Sequence, residues 1–238
     1  MNNLKEYIYK RKSVRQYDME EISGPAMEEI KAFIDTVKPL YPGIKVTWKI
    51  VSDAKNLLPV KAPHYILIYS EEQEGYLYNV GFMFQQVDLF LSGKGLGACW
   101  LGMARPREKS DENKDFVIAI GFGTPAESPY RKQTEFKRRP ADEVYRGTDE
   151  RLEAARLAPS ATNSQNWFFD EKDGVINVYQ KTLNSLQNVV YGKMNQIDIG
   201  IALAHIYISG MEQEKDLNFV KEKNHRDIKG FRYVGTVL

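Results

Sequence analysis

The sequence has 238 residues and a mass of 27.4 kDa, which suits one large domain or two small halves that need no covalent staple to form a core. Its 33 basic and 32 acidic residues leave a formal charge of +1, which excludes the basic excess of a dedicated nucleic-acid binder. A hydrophobic content of 42% excludes a disordered chain.

The single cysteine excludes an internal disulfide and multi-cysteine metal sites, and it favours a reducing compartment. No apolar leader follows Met1, and no apolar run approaches the ~18 residues of a membrane span. We therefore expect a cytoplasmic protein that contacts neither a membrane nor nucleic acid.

Hydrophobic periodicity and turn residues predict the elements of the first part of the chain. We expect helices over 2–12 and 25–38, strands over 44–52 and 64–70, a long helix over 76–93 and a strand over 116–122. The helix over 76–93 is so apolar that it should lie in the centre of the fold.

Residues 124–146 are polar and basic, so they predict a long connection and a boundary between halves 1–130 and 131–238. A helix is expected over 149–158, a hairpin turning at Asp173–Gly174 over 166–180, an apolar helix over 196–213 and an edge strand over 231–238. This irregular mixture of helices and strands predicts an α+β fold.

A weak internal repeat supports the two halves. LFLSG at 89–93 matches IYISG at 206–210 with an offset of 117 residues, close to half the chain. A chance match between two apolar helices is the alternative. Each half also contains a basic segment, a helix, a strand region and a long apolar helix, in that order.

The residues of ordinary side-chain catalysis are scarce. The three histidines, His64, His205 and His225, lack metal-ligand spacing and are best read as structural or surface residues. Cys99 has no neighbouring histidine, so a small buried residue is expected there. The glycines of 93–97 follow a helix instead of a strand, which argues against a dinucleotide-binding loop.

Four segments contain groups suited to a phosphorylated, planar ligand. The first places Arg11, Ser13 and Arg15 at alternate positions, where guanidinium and hydroxyl groups suit a phosphate or a polarised carbonyl. Each segment alone also fits a simple solvated turn, helix cap or charge run. The four are RKSVRQYD (11–18), GKGLGACWLG (93–102), KRRPADEVY (137–145) and APSATNSQNW (158–167).

Together these segments resemble the motifs of the FMN-dependent nitroreductase family, which are R-R-S-x-R-x-F, G-L-G-x-x-W-x-G, K-R-x-P-x-x-E-V and A-P-S-x-x-N-x-Q-P-W. The last is matched except that Asn166 replaces its proline. The resemblance spans most of the chain. It implies a nitroreductase-like fold with mixed or antiparallel central sheets flanked by helices.

The order of the segments departs from that family. Its members are intertwined homodimers in which the A-P-S loop follows the first helix and reaches FMN in the other subunit. Here residues 38–51 have lost that loop, and it lies instead at 158–167, in the second half. The resemblance therefore implies a single-chain pseudo-dimer of two pseudo-symmetric halves with one FMN site. Such a chain could be a monomer, and a homodimer stays open.

The resemblance also implies residue roles. Arg11 and Ser13, with Lys137, Arg138 or Arg139, would hold the FMN phosphate. The other implied roles are Arg15 near the pyrimidine edge, the Leu101–Gly102 backbone facing flavin N5, Pro159, Ser160 and Asn163 contacting the flavin from the second half, and Lys12, Trp100 and Gln165 completing the cofactor-binding set.

The activity implied is oxidoreduction in which NADH or NADPH reduces FMN, which then reduces a nitroaromatic, quinone or enone-like acceptor. The flavin would supply the chemistry, so no catalytic side chain and no metal are expected. Residues 38–63 and 181–196 would shape the acceptor pocket. A non-catalytic flavin-binding or regulatory protein is the alternative, and a structural protein that binds no flavin is a third possibility.

Overall fold

Two sheets and two long central helices build the protein, as seen in a computed structural model that describes residues 3–57, 59–108, 114–211 and 217–238. The first sheet is antiparallel, with strand order β1-β3-β6-β4. Its strands are β1 (Val46–Val51), β3 (His64–Ser70), β4 (Gly97–Leu101) and β6 (Asp115–Gly123). A separate two-stranded ribbon pairs β2 (Lys55–Asn56) with β5 (Ala104–Arg105).

The second sheet has the order β10-β11-β9-β8-β7 and is antiparallel except at β7. Its strands are β7 (Tyr145–Arg146), β8 (Trp167–Lys172), β9 (Val175–Lys181), β10 (Phe219–Val220) and β11 (Phe231–Val237). The hairpin predicted at Asp173–Gly174 is confirmed, because both residues have positive φ (55° and 82°), as a tight two-residue turn requires.

The tail was expected at a sheet edge, and this expectation is wrong. Strand β11 lies between β9 and β10, and its last four strand residues, 234–237, are buried in succession. An edge strand would leave one row of backbone groups unpaired. The short strand β10 takes the edge position instead.

The helices are α1 (Leu4–Ile8), α2 (Gly24–Ile34), α3 (Tyr76–Gly93), α4 (Ala141–Val144), α5 (Arg151–Arg156) and α6 (Ser185–Gly210). The predicted bounds of α3 are confirmed, and its residues are buried along almost its whole length. Helix α6 begins eleven residues before the predicted start, where Asn184 and Gln187 cap it reciprocally and the described residues of its first two turns are largely exposed. Helix α1 ends early, where the Arg11 N–H donates to the Tyr7 carbonyl.

The core is continuous between the two sheets. Strand β3 is buried at all seven positions, and its alternating side chains enter two clusters. Ile66 and Ile68 pack with α3 and α6, whereas Leu67 and Tyr69 pack on the other face with Leu101.

Helices α3 and α6 cross with their backbones in contact. A Cβ placed on Gly81 would lie 2.1 Å from the Ile197 carbonyl oxygen, and one on Gly200 would lie 2.1 Å from the Tyr78 carbonyl oxygen. Glycine at both positions is what lets the helices approach so closely. This crossing joins the first part of the chain to the second.

The two sheets share one connection pattern. When the two-residue strand β7 is left aside, two strands precede a long helix and two strands follow it in each sheet, and the order β1-β3-β6-β4 corresponds to β8-β9-β11-β10. The last strand of each set carries one extra residue in its pairing, Val117 in β6 and Val234 in β11. These residues are 117 positions apart, the offset of the repeat in the sequence.

The α+β class with largely antiparallel sheets is confirmed. The division into halves 1–130 and 131–238 stays a prediction. In the described ranges, no helix is both long enough and apolar enough to cross a membrane.

Substituting Gly81→Ala should separate the two central helices, because the new methyl group would overlap the Ile197 carbonyl. We expect the free energy of unfolding to fall by about 3 kcal/mol, measured by urea denaturation. Gly24→Ala is the control, since its Cβ would meet no atom within 4 Å; it should stay within about 1 kcal/mol of wild type. Equal stability of both variants would contradict the tight crossing.

Candidate functional site

The segment 11–17 runs along the end of the first sheet. Isolated bridges join Arg11 to Tyr130, Ser13 to Ala98 and Tyr17 to Pro125. Gly97 makes this approach possible, because a Cβ there would lie 2.6 Å from the Cβ of Val14. Segment 11–17 is therefore held by backbone pairing and is not a free solvated turn.

Arg11 is only 2% exposed and pairs with a buried acid of α3. Its Nε lies 2.9 Å from Asp88 Oδ2, and its guanidinium also lies 3.4 Å from Ser13 Oγ. Burial raises the pKa of Asp88, and the Arg11 guanidinium and the Gln85 amide oppose that rise. Asp88 thus fixes the position of Arg11.

Two further arginines lie close to Arg11. Arg131 donates from Nε to the Arg11 carbonyl at 3.0 Å, and Arg138 donates to Asn163 Oδ1 at 2.8 Å. Both guanidinium groups lie over the Phe136 ring. Arg11, Arg131 and Arg138 are called the arginine cluster below.

The arginine cluster is electrostatically strained. Burial first, and then the charge of Arg11, lowers the pKa of Arg131 to about 10. Burial, with the charges of Arg131, Arg11 and Arg156, lowers the pKa of Arg138 to about 10. The Arg138 Nε is buried and has no hydrogen-bond partner in the described ranges. Such a cluster is stabilised by a bound anion.

The A-P-S loop, residues 158–167, closes over the arginine cluster from the second part of the chain. Three of its non-glycine residues have positive φ: Thr162 (52°), Asn163 (56°) and Gln165 (49°). Non-glycine residues rarely adopt this conformation, so the surroundings must hold it.

Side chains of the A-P-S loop form hydrogen bonds with the backbone of residues 137–139. Asn163 Nδ2 donates to the Lys137 carbonyl at 2.8 Å, and the Arg139 N–H donates to Gln165 Oε1 at 2.8 Å. The structure therefore brings Asn163 and Gln165 to residues 137–139, as the motifs predict. Arg138 is the one of those three cations that joins the cluster, whereas the Lys137 side chain is exposed.

The end of β4 lies beside α6. Trp100 Nε1 donates to Gln85 Oε1 at 3.2 Å, and Leu101 is fully buried. A Cβ on Gly102 would lie 3.0 Å from Met194 Sδ of α6. Of these three residues, Gly102 contacts the second part of the chain, whereas Trp100 bonds to α3 and Leu101 packs among residues of the first part.

The remaining predicted site residues lie at the edge of this region. Lys12 donates its N–H to the Pro129 carbonyl, Arg15 is exposed, and Pro159 and Ser160 are half-buried. Ser160 Oγ accepts the Gln165 N–H at 3.0 Å and so folds the A-P-S loop back on itself.

A buried polar chain connects the arginine cluster to three helices. Gln85 Nε2 donates to Asp88 Oδ2 at 3.0 Å and lies 3.1 Å from His205 Nε2. His205 Nδ1 lies 2.8 Å from the Ala154 carbonyl, which assigns the proton to Nδ1 and leaves Nε2 to accept from Gln85. Burial lowers the pKa of His205 to about 3. The interpretation of His205 as a structural histidine is confirmed.

Sequence reasoning missed several residues of the site, namely Gln85, Asp88, Arg131, Phe136 and Asp198. The available signal was the presence of Gln85, Asp88 and Asp198 inside otherwise apolar helices, since such residues are buried only with partners. Arg131 and Phe136 carried no comparable signal. Cys99 is buried as expected, and burial raises the pKa of its thiol.

No group of three or more His, Cys, Asp or Glu residues suited to a metal ion occurs in the part of the chain that the structure describes.

Comparison with known proteins identifies the family. A family model described as "Putative TM nitroreductase" matches residues 3–210. The chain belongs to this nitroreductase family and is by class an oxidoreductase. A search of curated proteins found no match.

One solved structure shares the fold over the whole chain, and two others are more distant. A "putative nitroreductase" from Thermotoga maritima is 25% identical, with a TM-score of 0.69 over 100% of this chain and 92% of its own. An FMN-dependent nitroreductase from Clostridium difficile R20291 is 16% identical, covering 53% of this chain and 88% of its own, with a TM-score of 0.43. Nitroreductase A from Vibrio parahaemolyticus is 18% identical, covering 65% and 81%, with a TM-score of 0.47.

The neutral His205 should make the protein acid-sensitive. As the pH falls below 6.5, the unfolded chain gains a proton that the folded chain takes up only near pH 3, so stability is lost through that window. Between pH 7 and 5 wild type should lose about 2 kcal/mol more unfolding free energy than His205→Gln, measured in urea. Lys172→Gln, which changes an exposed residue outside the polar chain, should lose as much as wild type. Parallel curves for wild type and His205→Gln would contradict this assignment.

The arginine cluster should bind simple anions. Inorganic phosphate should raise the melting temperature above that in sodium chloride at equal ionic strength. At a phosphate concentration of 100 times Kd, the free energy of unfolding should rise by about 2.7 kcal/mol. Arg138→Gln should abolish the phosphate-specific shift. Lys172→Gln removes an exposed cation at the end of the hairpin and should retain it. A shift of equal size in all three proteins would argue against the cluster.

Proposed function

We propose that this protein is an FMN-dependent oxidoreductase that uses NADH or NADPH to reduce nitroaromatic, quinone or enone-like acceptors. The observation that carries the proposal is the arginine cluster, where segment 11–17 and the A-P-S loop meet although they are far apart in sequence. Membership of the nitroreductase family and the FMN dependence stated for the C. difficile structure agree with it.

The donor set of the cluster fits the phosphate of FMN. Of the three guanidinium groups, Arg11 pairs with the buried carboxylate of Asp88, and the Arg138 Nε has no partner in the described ranges. A phosphate dianion would supply both the missing charge and the missing acceptor. Arg11, Ser13 and Arg138 are the groups we assign to it.

The residues around the ring would position the isoalloxazine. Leu101 and Gly102 would present backbone at N5, and Pro159, Ser160 and Asn163 would contact the flavin from the second half. Burial raises the pKa of Cys99 and the charge of Arg15 opposes that rise, while burial, Arg11 and Arg15 together lower the pKa of Arg131, so Arg15 lies near both residues. A cation there would stabilise negative charge on the pyrimidine edge.

Bound FMN would accept a hydride from the nicotinamide and pass reducing equivalents to the acceptor, which is chemistry that no protein side chain supplies. The chain would bind and orient the cofactor and would limit access of water to it.

Both segments expected to shape the acceptor pocket have parts near Gly102. The ribbon of β2 and β5 brings residues 55–56 against 104–105, just after Gly102. Met194 of α6 contacts Gly102 directly. Met103 and Tyr191 are 47% and 39% exposed, and they offer apolar surface for a planar acceptor beside this position.

We also propose that the two halves arose by fusion of two subunits and that one FMN site survives per chain. The matched strand orders and the matched extra residues Val117 and Val234 support this. Residues 38–43, which follow α2 as the A-P-S loop follows α5, lack the amide-rich sequence of 160–166. A monomer would then suffice for activity.

The test is reconstitution with FMN followed by reduction. Flavin absorbance against protein concentration should give one FMN per chain, NADH or NADPH should bleach the bound flavin without oxygen, and an acceptor should restore it. The Arg11→Ala/Ser13→Ala double variant should lose FMN, whereas Lys172→Gln should keep it.

Each other outcome removes a definite part of the proposal. Two FMN per chain would overturn the single site, and a protein that takes up no FMN would overturn the function. Bound flavin that neither nucleotide bleaches would favour a non-catalytic flavoprotein or another electron donor.

A further inference from the structure

Helix α6 carries a buried carboxyl directly beneath the A-P-S loop. Asp198 is 4% exposed, and its Oδ1 accepts the Ala161 N–H at 3.0 Å. Its Oδ2 is buried without a hydrogen-bond partner in the described ranges. A buried carboxyl that makes one hydrogen bond to a loop backbone needs an explanation, because burial of such a group is costly.

The A-P-S loop depends on outside support at this point. Ala161, whose N–H donates to Asp198, is followed directly by Thr162, the first positive-φ residue of the loop. Conformations of this kind persist only where neighbouring groups hold them. The Asp198 bond is the first such contact along the loop.

The same arrangement occurs a second time in the molecule. Asn79 of α3 is fully buried, and its Oδ1 accepts the N–H groups of Leu40 and Tyr41 at 2.8 and 2.9 Å. Leu40 follows Pro39, just as Ser160 follows Pro159. Asn79 thus holds the turn after α2 as Asp198 holds the turn after α5.

The two residues also occupy matching places on their helices. Asn79 lies two positions before Gly81, and Asp198 lies two positions before Gly200, the glycines at which α3 and α6 cross. A buried side-chain oxygen therefore supports a post-proline turn at the same distance from the crossing in each helix. In one helix the oxygen belongs to an amide and in the other to a carboxyl.

We propose that Asp198 is a positioning residue for cofactor binding, which sets the A-P-S loop in the conformation that receives the flavin by accepting the Ala161 N–H. The inference rests on the proposed function and adds to it a residue that touches neither cofactor nor substrate. Burial raises the pKa of Asp198 to about 8, so the carboxyl is neutral at pH 7 and can act as the Asn79 amide does.

The test uses two substitutions of nearly equal shape. Asp198→Asn keeps the acceptor oxygen, and it should bind FMN within about threefold of wild type. Asp198→Leu fills the same space without an acceptor, and its FMN affinity should fall at least about tenfold, measured by flavin fluorescence titration at pH 7.

Asn79→Leu is the matched control, because it removes the corresponding acceptor beneath the turn at 40–41. It should lower the melting temperature as a loss of backbone support does, yet leave FMN affinity within about threefold of wild type. A role for Asp198 in general stability alone would give equal affinity losses at both positions.

The outcomes separate this inference from the function. Wild-type protein that takes up no FMN would overturn both. Wild-type and Asp198→Leu proteins with equal FMN affinity would overturn only the role of Asp198. If Asp198→Leu fails to fold, Asp198→Asn still tests the role of Asp198. A tenfold loss of FMN affinity in Asp198→Asn would show that the oxygen accepting the Ala161 N–H does not set FMN affinity.

Discussion

The contact between the backbones of α3 and α6 is the constraint on which the remaining architecture depends. Because Gly81 and Gly200 have no side chains, the helices approach until carbonyl oxygens fill the space of a methyl group. At that separation, polar side chains on one helix reach elements packed on the other. Gln85 of α3 meets His205 of α6, and through it the chain of hydrogen bonds extends to α5.

That polar chain also organises charge. Asp88 neutralises Arg11 where both are buried, and neutral His205 adds no further positive charge beside the cluster. Arg131 and Arg138 are left with pKa values lowered by burial and by their neighbours. Positive charge is thus neutralised at Arg11 and left unneutralised at Arg131 and Arg138, beside the A-P-S loop, where an anion would be stabilised.

The sequence predicts most of the fold where the pattern is local. The hairpin at Asp173–Gly174 and the bounds of α3 follow from turn chemistry and apolar content. Strand β4 is not among the strands expected from the sequence, because its β character comes from pairing with β6 and not from its residues. The early start of α6 is marked by the cap at Asn184 and Gln187, and it lies outside the dense apolar run at 197–208 that predicts the helix. Four motif segments indicate the candidate site, whereas Asp88 and Asp198 are marked in the sequence only as acids inside apolar helices, and their partners are defined by the fold.

The arginine cluster is assembled late along the chain. Segment 11–17 is held by residues 98 and 125–130, and the A-P-S loop is held by residues 137–139 and by α6. During synthesis, more than half of the polypeptide must therefore be made before Arg131 and Arg138 can pack beside Arg11. A fragment ending before α6 would contain the arginine cluster without Asp198, which supports the A-P-S loop.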